Sequence, residues 1–282
     1  MEIKQIGIVG SGVMGGGIAQ LFAERGYDVA VWDVTAELLD KGLGTIAKRL
    51  AKSAEKGSLT PEQAAAISGR ITKAATLSEF KGADLVIEAV TEDLKIKREI
   101  FRELENSVSG AAVLATNTSS LSVRAISDGL KNPARMMGIH FFNPPTKLEL
   151  VEVVPLKETR PEVLNGVIEF LRACGKTPVT VKDSPGYIVN RLLLLLINEA
   201  ANMVDEGVAS AQDIDTAMRL GALHPAGPLA VADLIGLDTC KKILDVLYAE
   251  TGKSAYRPAA AISGQVAEGR LGRKTNKGFF AY

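Results

Sequence analysis

The chain has 282 residues, 46% of them hydrophobic, which is enough for one large domain or two ordinary domains with full cores. Lysine plus arginine equal aspartate plus glutamate at 33 each, and this zero net charge argues against a nucleic-acid-binding protein, a class that usually has a strong basic excess. The two cysteines, Cys174 and Cys240, lie in no CxxC motif and near no histidine, so we expect no metal site and a reducing compartment.

The first 180 or so residues alternate short apolar runs with segments of helical character. The predicted strands are residues 3–10, 27–33, 84–89, 112–117, 136–140 and 177–181. The predicted helices between them are residues 36–57, 94–108 and 162–174. Several of the strands are continuous Val/Ile/Leu runs, as in a parallel sheet that is covered on both faces. This alternation predicts an α/β domain with a doubly wound sheet over residues 1–183.

The pattern changes at residues 182–186, a run of turn-forming residues. The later segments are predicted helices at residues 188–206, 211–220, 229–235 and 239–250. We therefore expect an all-helical second domain over residues 184–282. Its run 192–196 is apolar on every face, which predicts a helix that is buried all round, either in the domain core or in a subunit interface.

Membrane and export segments are not expected. The longest apolar run in the second half of the chain, residues 192–197, is far shorter than the roughly 20 residues of a membrane span. The first predicted strand begins at Ile3, which leaves no room for a targeting segment before it. We expect a cytoplasmic protein without a membrane partner.

Residues 10–15 read GSGVMG, a GxGxxG motif that follows an apolar strand and opens a helix. In this context Gly10 permits a tight turn, Gly12 lets the backbone approach a pyrophosphate, and Gly15 allows close packing of the helix on the strand. The free N–H groups at the start of the helix would then face the phosphates. The cofactor-binding residues that this motif predicts are Gly10, Gly12, Val13, Met14 and Gly15.

A second predicted strand ends at Asp33, 18 residues beyond Gly15. A carboxylate at this position accepts hydrogen bonds from both hydroxyls of the adenosine ribose, and it would repel a 2′-phosphate. The motif therefore favours NAD over NADP. A glycine-rich turn without a ligand, followed by a solvated aspartate, is the alternative.

His140, one of two histidines, ends a predicted strand and enters the segment Phe-Phe-Asn-Pro-Pro. Ligands of open parallel sheets bind beyond the carboxyl ends of the strands, and an imidazole there can act as general base for a secondary alcohol. Glu152 lies in a β-branched run, where Leu150, Glu152 and Val154 would share one face of a strand. A carboxylate on a buried face requires a partner, and an imidazole is a suitable one. The alternatives are a structural histidine at a turn and a glutamate that faces water.

Several segments together resemble the L-3-hydroxyacyl-CoA dehydrogenases, most closely the bacterial 3-hydroxybutyryl-CoA dehydrogenases, over essentially the whole chain. These segments are residues 10–17 (GSGVMGGG), 88–99 (EAVTEDLKIKRE), 117–121 (NTSSL), 140–144 (HFFNP), 150–153 (LVEV), 183–191 (DSPGYIVNR), 224–229 (HPAGPL) and 274–279. The resemblance implies a Rossmann-type N-terminal domain and a helical C-terminal domain that forms a homodimer contact.

The same resemblance implies roles for matched residues. His140 would take the hydroxyl proton as a hydride leaves carbon 3, and Glu152 would orient and balance it. Ser119 would hydrogen-bond the substrate oxygen, and Asn190 would help to hold the acyl group. The positions that line the NAD site in the family are matched by Asp33, Glu92, Lys97, Ser119, Asn143 and Lys274.

Each matched residue also has a simpler interpretation. Ser119 suits a turn or a helix cap, and Asn190 suits a cap or a packed position. Lys97 lies in a charged helix, where a solvated face is usual, and Asn143 before two prolines is a natural turn residue.

CoA carries phosphates, so a basic surface is expected to meet it. Lys48, Lys52 and Lys56 recur at intervals of four residues on one predicted helix, near the place where the family binds the CoA tail. Lys52 and Lys56 are therefore predicted phosphate contacts, with a solvated helix face as the alternative.

The sequence thus predicts an enzyme that transfers a hydride reversibly between NAD and carbon 3 of an (S)-3-hydroxyacyl-CoA, such as 3-hydroxybutyryl-CoA. Two other functions fit the same fold. One is a sugar-acid 3-dehydrogenase or a lens-crystallin-like relative, and the other is a nucleotide-binding protein without turnover.

Overall fold

The computed structural model describes residues 2–282, and the chain forms two compact units, Met1–Asp183 and Ser184–Tyr282. The first unit contains one eight-stranded sheet in the order β3-β2-β1-β4-β5-β6-β7-β8. Its strands are β1 (Gln5–Val9), β2 (Asp28–Trp32), β3 (Ile71–Lys73), β4 (Leu85–Glu88), β5 (Val113–Thr116), β6 (Met136–Phe141), β7 (Leu150–Pro155) and β8 (Thr177–Thr180).

All neighbouring strands are parallel except β6 and β7, which pair antiparallel. The connection between these two strands spans only residues 142–149 and contains no helix, whereas a parallel crossover requires a dozen or more residues. The predicted doubly wound α/β sheet is confirmed, with this one reversal that the apolar runs did not reveal. Because β8 runs parallel to β7, it is also antiparallel to the strands β1 to β6.

The helices of the first unit are α1 (Val13–Glu24), α2 (Ala36–Glu55), α3 (Pro61–Gly69), α4 (Leu94–Ser107), α5 (Val123–Ser127) and α6 (Pro161–Ala173). Helix α2 begins where the Thr35 hydroxyl accepts a hydrogen bond from the Leu38 N–H, and Asp93 caps α4 through the Ile96 N–H in the same way. Strands β4 and β5 are buried at every residue. Apart from Glu88 and Thr116 at their carboxyl ends, both strands are apolar, which reflects burial on both faces.

Helix α3, strand β3 and the five-residue helix α5 of the first unit were not predicted. Helix α3 is short, but Thr60 and Gln63 form a capping box at its start and Pro61 occupies its first turn. The sequence TPEQ therefore contained the signal for this helix. Strand β3 has three residues and lies at the edge of the sheet, which is too short for a periodic pattern.

The second unit is built from α7 (Val189–Asp205), α8 (Ala211–Gly221), α9 (Pro228–Ile235), α10 (Leu237–Thr251) and α11 (Ala260–Ala267). Its core includes Leu194 and Ile197 of α7. Burial of residues 192–196 on every face within the domain core, the first of the two predicted possibilities, is wrong, because Leu192 is 64% exposed in the single chain. Burial in a subunit interface stays a prediction. Helices α9 and α11 pack against α7, and a helix turns about 100° per residue, so only part of the apolar run faces them.

Within residues 2–282, no helix combines the length and the apolar composition of a membrane span. The same part of the chain holds no group of three or more His, Cys, Asp or Glu side chains arranged to bind a metal ion.

Candidate active site

A tight turn after β1 carries the glycine motif. Gly10 has a φ of +100°, a conformation that disfavours any side chain, and its N–H donates to the Trp32 carbonyl across 2.8 Å. A β-carbon on Gly15 would lie 1.8 Å from the Gly10 carbonyl oxygen, so α1 packs directly on the turn. A β-carbon on Gly12 would meet nothing within 4 Å. The backbone before Val13 is therefore open to a phosphate at the helix N-terminus.

Asp33 directly follows β2, and its carboxylate braces this turn. Its Oδ2 accepts hydrogen bonds from the Ser11 N–H at 2.7 Å and from the Ser11 hydroxyl at 2.6 Å, while its Oδ1 accepts from the Val34 N–H at 2.8 Å. Ser11 and Asp33 also line a pocket of about 260 Å³ beside Gly12. The bracing role of Ser11 was not predicted, although its hydroxyl inside the motif was the available signal.

Basic residues of α2 line the other side of this pocket. Lys41 and Arg49 project from successive turns together with Thr45, and all three belong to the pocket lining. Lys52 and Lys56, the predicted phosphate contacts, are exposed at the end of the same helix. Successive spacings of three and four residues place Arg49, Lys52 and Lys56 on one face. A basic stripe therefore extends from the glycine turn along α2.

His140 and Glu152 form a buried pair. They lie directly opposite each other in the antiparallel β6–β7 ladder, and His140 Nδ1 is 2.8 Å from Glu152 Oε2. The residues are 6% and 1% exposed, respectively. An ionised carboxylate has only acceptor atoms, so Nδ1 carries the proton and donates a hydrogen bond to Glu152. The neutral ring then has its basic lone pair on Nε2, which suits a general base.

The segment that follows His140 is fixed at several points. The Phe141 N–H donates to the side-chain oxygen of Asn117 at 2.8 Å. The buried Lys176 ammonium donates to the carbonyl oxygens of Pro145 at 2.6 Å and Leu148 at 2.9 Å. Asn143, which the resemblance matched to the NAD site, lies in this segment and is exposed. Lys176 was not singled out from the sequence, where one lysine before a short strand gives no signal.

The carboxylate of Glu92 holds the turn that contains Ser119 through several hydrogen bonds. Glu92 Oε1 accepts hydrogen bonds from the Ser119 N–H at 2.9 Å, from the Ser120 N–H at 3.1 Å and from the hydroxyls of Thr118 and Ser120. Burial raises the pKa of Glu92, but the nearby Lys97 ammonium and these hydrogen bonds outweigh it, so the pKa lies below its ordinary value. Ser119 follows β5, the parallel neighbour of β6. Both strands therefore end at the same edge of the sheet.

Lys97 is buried rather than solvated, since it is only 1% exposed. Its ammonium lies 2.6 Å from Glu88 Oε1 and 3.2 Å from Glu92 Oε2. Glu88 is fully buried and also accepts from the Val90 N–H and the Thr116 hydroxyl, each at 2.7 Å. Sequence reasoning placed Glu88 inside the predicted strand of residues 84–89 but gave it no role in the site.

Two matched residues lie in the second unit. Asn190 is half-buried in the first turn of α7. Lys274 lies in a short 3-10 turn near the C-terminus, and its ammonium forms an ion pair with Asp238. This pairing also lowers the pKa of Asp238, although burial opposes it.

Known proteins resemble the chain along its full length. Residues 5–184 match the family model described as 3-hydroxyacyl-CoA dehydrogenase, NAD binding domain, and residues 186–282 match the model for its C-terminal domain. The probable 3-hydroxybutyryl-CoA dehydrogenase of Bacillus subtilis (strain 168) is 44% identical over 100% of this chain and 98% of its own length. The 3-hydroxybutyryl-CoA dehydrogenase of Clostridioides difficile is 41% identical over 99% of each chain.

A solved structure shows the same fold. The crystal structure of (S)-3-hydroxybutyryl-CoA dehydrogenase PaaH1 from Ralstonia eutropha superposes with a TM-score of 0.94 at 40% identity. The match covers 100% of this chain and 99% of that one.

Proposed function

This chain belongs to the 3-hydroxyacyl-CoA dehydrogenase family, and we propose that it interconverts (S)-3-hydroxybutyryl-CoA and acetoacetyl-CoA with NAD(H). The observation that carries the proposal is the buried His140–Glu152 pair, because it supplies an oriented base for a secondary alcohol. The relatives named for 3-hydroxybutyryl-CoA are similar over full length, which supports the short acyl chain. Such a reaction serves butyrate or fatty acid metabolism in the cytoplasm.

The residues of the first unit fit the cofactor. The open backbone at Gly12 and the start of α1 suit the pyrophosphate, and Asp33 retains acceptor capacity for the adenosine ribose. Glu92, Ser119 and Asn143 are proposed to line the nicotinamide end. When bound, NAD supplies the hydride acceptor.

In the oxidative direction His140 Nε2 takes the proton of the substrate hydroxyl. Glu152 keeps the ring in the required tautomer and balances the charge that the imidazolium acquires. Ser119 donates a hydrogen bond to the reacting oxygen, and Asn190 helps to hold the acyl group. Lys52 and Lys56 receive the phosphates of CoA. Lys97 and Lys274 are proposed to belong to the NAD site, where they form ion pairs with Glu92 and Asp238.

We further propose a homodimer formed by the helical unit. Large apolar side chains of this unit face solvent in the single chain, with Leu192 at 64%, Leu220 at 71% and Leu223 at 86% exposure. Exposed apolar surface of this kind is typical of subunit interfaces. Light scattering coupled to size exclusion gives twice the chain mass of 29.9 kDa if the proposal holds.

The decisive experiment mixes the purified protein with acetoacetyl-CoA and NADH and follows the loss of nicotinamide absorbance. We expect rapid loss, and a reduction of kcat by roughly 10²–10⁴-fold in His140→Ala, which is the usual contribution of a general base. NADPH in place of NADH tests the Asp33 argument. A protein that binds NADH but shows no loss contradicts the acyl-CoA assignment and favours a sugar-acid substrate or a protein without turnover.

A further inference from the structure

Glu88, Lys97 and Glu92 form a buried ion cluster, and Glu88 is the one of these three residues that has no role in the function proposed above. One ammonium meets two carboxylates, so the cluster has a net charge of −1 when all three groups are ionised. Lys97 is 1% and Glu88 0% exposed, whereas the Glu92 side chain retains 35% exposure. The lysine is therefore held from its buried side by Glu88 and from its open side by Glu92.

The two oxygens of Glu92 have different partners. Oε2 faces the Lys97 ammonium at 3.2 Å, whereas Oε1 accepts hydrogen bonds from Thr118, Ser119 and Ser120. Lys97 is closer to Glu88, at 2.6 Å, than to Glu92. Glu88 thus takes the larger share of the ammonium charge, which leaves Glu92 able to hold the turn of residues 118–120.

We propose that Glu88 is a positioning residue for the dehydrogenase reaction. Its charge keeps the Lys97 ammonium from pulling Glu92 away from residues 118–120, so that Glu92 keeps the Ser119 turn in place. The proposal rests on the function proposed above for Ser119. Without the Glu88 charge, Glu92 is the only carboxylate left to Lys97 within the cluster. The ammonium then draws Glu92 toward itself and away from the turn, because a buried charge is unfavourable unless an opposite charge compensates it.

Glu88→Gln is the most conservative test of this role. The amide oxygen still accepts from the Val90 N–H and from Lys97, and the Thr116 hydroxyl can accept from the amide nitrogen in place of donating. The substitution therefore removes one charge at nearly constant shape and brings the cluster to zero net charge. Lys97→Met changes the cluster in the other direction, to −2, and the double variant Glu88→Gln/Lys97→Met restores −1.

The three variants separate a charge-balancing role from simple packing. We expect Glu88→Gln to lower kcat for acetoacetyl-CoA reduction by about tenfold or more, since contacting groups in one network couple strongly. The double variant should recover to within about threefold of the native enzyme, because Glu92 again has a full charge for the turn. Effects of the two substitutions that simply multiply in the double variant overturn the proposal.

Amide hydrogen exchange provides a readout that needs no turnover. Glu88→Gln should speed exchange at the amides of Ser119 and Ser120, and the double variant should return it toward the native rate. Unchanged exchange in Glu88→Gln overturns the proposal even if Lys97→Met fails to fold. Absence of turnover by the native protein would instead contradict the proposed function, and the exchange experiment would still decide the role of Glu88.

Discussion

At the scale of single residues, the role proposed for His140 depends on its partner, Glu152. Glu152 is 1% exposed and lies 2.8 Å from His140 Nδ1 across the β6–β7 ladder. In the sheet interior the carboxylate fixes the proton on Nδ1, and thereby leaves the lone pair on Nε2. Loss of the carboxylate charge is therefore expected to reach the reaction through the tautomer of the ring.

We predict that Glu152→Gln lowers kcat by roughly 10²–10⁴-fold, since an amide can donate to Nδ1 and stabilise the wrong tautomer. KM for NADH should change little, because Glu152 is buried beside the histidine and braces no part of the glycine turn. Steady-state kinetics with acetoacetyl-CoA measure both constants. Glu149→Gln is the matched control: it makes the same chemical change at an exposed position three residues earlier, and it should retain native kcat.

Among single residues, the sequence predicted a local arrangement wherever the spacing of a motif implies its geometry. The glycine spacing and Asp33 predicted a phosphate turn, and the alternation around Glu152 predicted a buried face that needs a partner. Glu88 and Lys97 were different, because only tertiary packing shows that the lysine of a charged helix is turned inward against a strand end. Lys176 was missed for the same reason, since its acceptors are carbonyl groups that have no sequence signature.

At the scale of elements, strand direction was the feature that the apolar runs did not supply. Apolar runs predicted β6 and β8 and allowed β7, but burial on both faces is compatible with parallel and antiparallel neighbours. The length of the connection, residues 142–149, contained the answer, because it is too short for a crossover. The antiparallel pairing is also what places His140 opposite Glu152 in register.

Helix α2 has one face that combines the pocket residues Lys41 and Arg49 with the more distal Lys52 and Lys56. We predict that Lys52→Glu/Lys56→Glu raises KM for acetoacetyl-CoA by about tenfold, which corresponds to roughly 1.4 kcal/mol. The effect should shrink with added salt, because both lysines are exposed. Steady-state kinetics at two ionic strengths measure it.

Two controls isolate the phosphates of CoA as the cause. Acetoacetyl-pantetheine lacks the nucleotide phosphates, so its KM should be the same in the double variant and the native enzyme. Lys81→Glu/Lys131→Glu makes the same charge change at exposed positions outside α2 and should leave KM for acetoacetyl-CoA unchanged. An equal rise in KM for both thioesters would contradict a phosphate contact.

At the scale of the whole molecule, each compact unit buries one thiol in its own core. Cys174 belongs to the core of the first unit and Cys240 to that of the second, and both are free. Burial raises the pKa of the Cys174 thiol to about 11. Burial, together with the carboxylates of Asp238 and Asp233, raises that of Cys240 to about 12. Because the thiolate is the reactive form, both cysteines should be inert in the folded chain.

We predict that iodoacetamide at pH 8 labels neither cysteine in the native protein and labels both in denaturant. Pulse labelling at increasing urea, followed by peptide mass spectrometry, reports the opening of each unit separately. Labelling of Cys240 before Cys174 would show that the helical unit opens first. Labelling of either thiol in the native state at the rate of the unfolded chain would contradict the burial on which the prediction depends.

The same two thiols predict how the free energy of unfolding changes at alkaline pH. Their pKa values are higher in the folded chain than the ordinary value of 9.0, so folding favours the neutral thiol. Between pH 9 and about 11 the unfolded chain has lost thiol protons that the native chain retains, and the free energy of unfolding therefore falls as pH rises. Below pH 9 this contribution is fully present. Urea unfolding at pH 8 and pH 10 should show the loss, and Cys174→Ala/Cys240→Ala should reduce it. A raised pKa at Tyr27 gives the same sign, so part of the loss should remain in that variant.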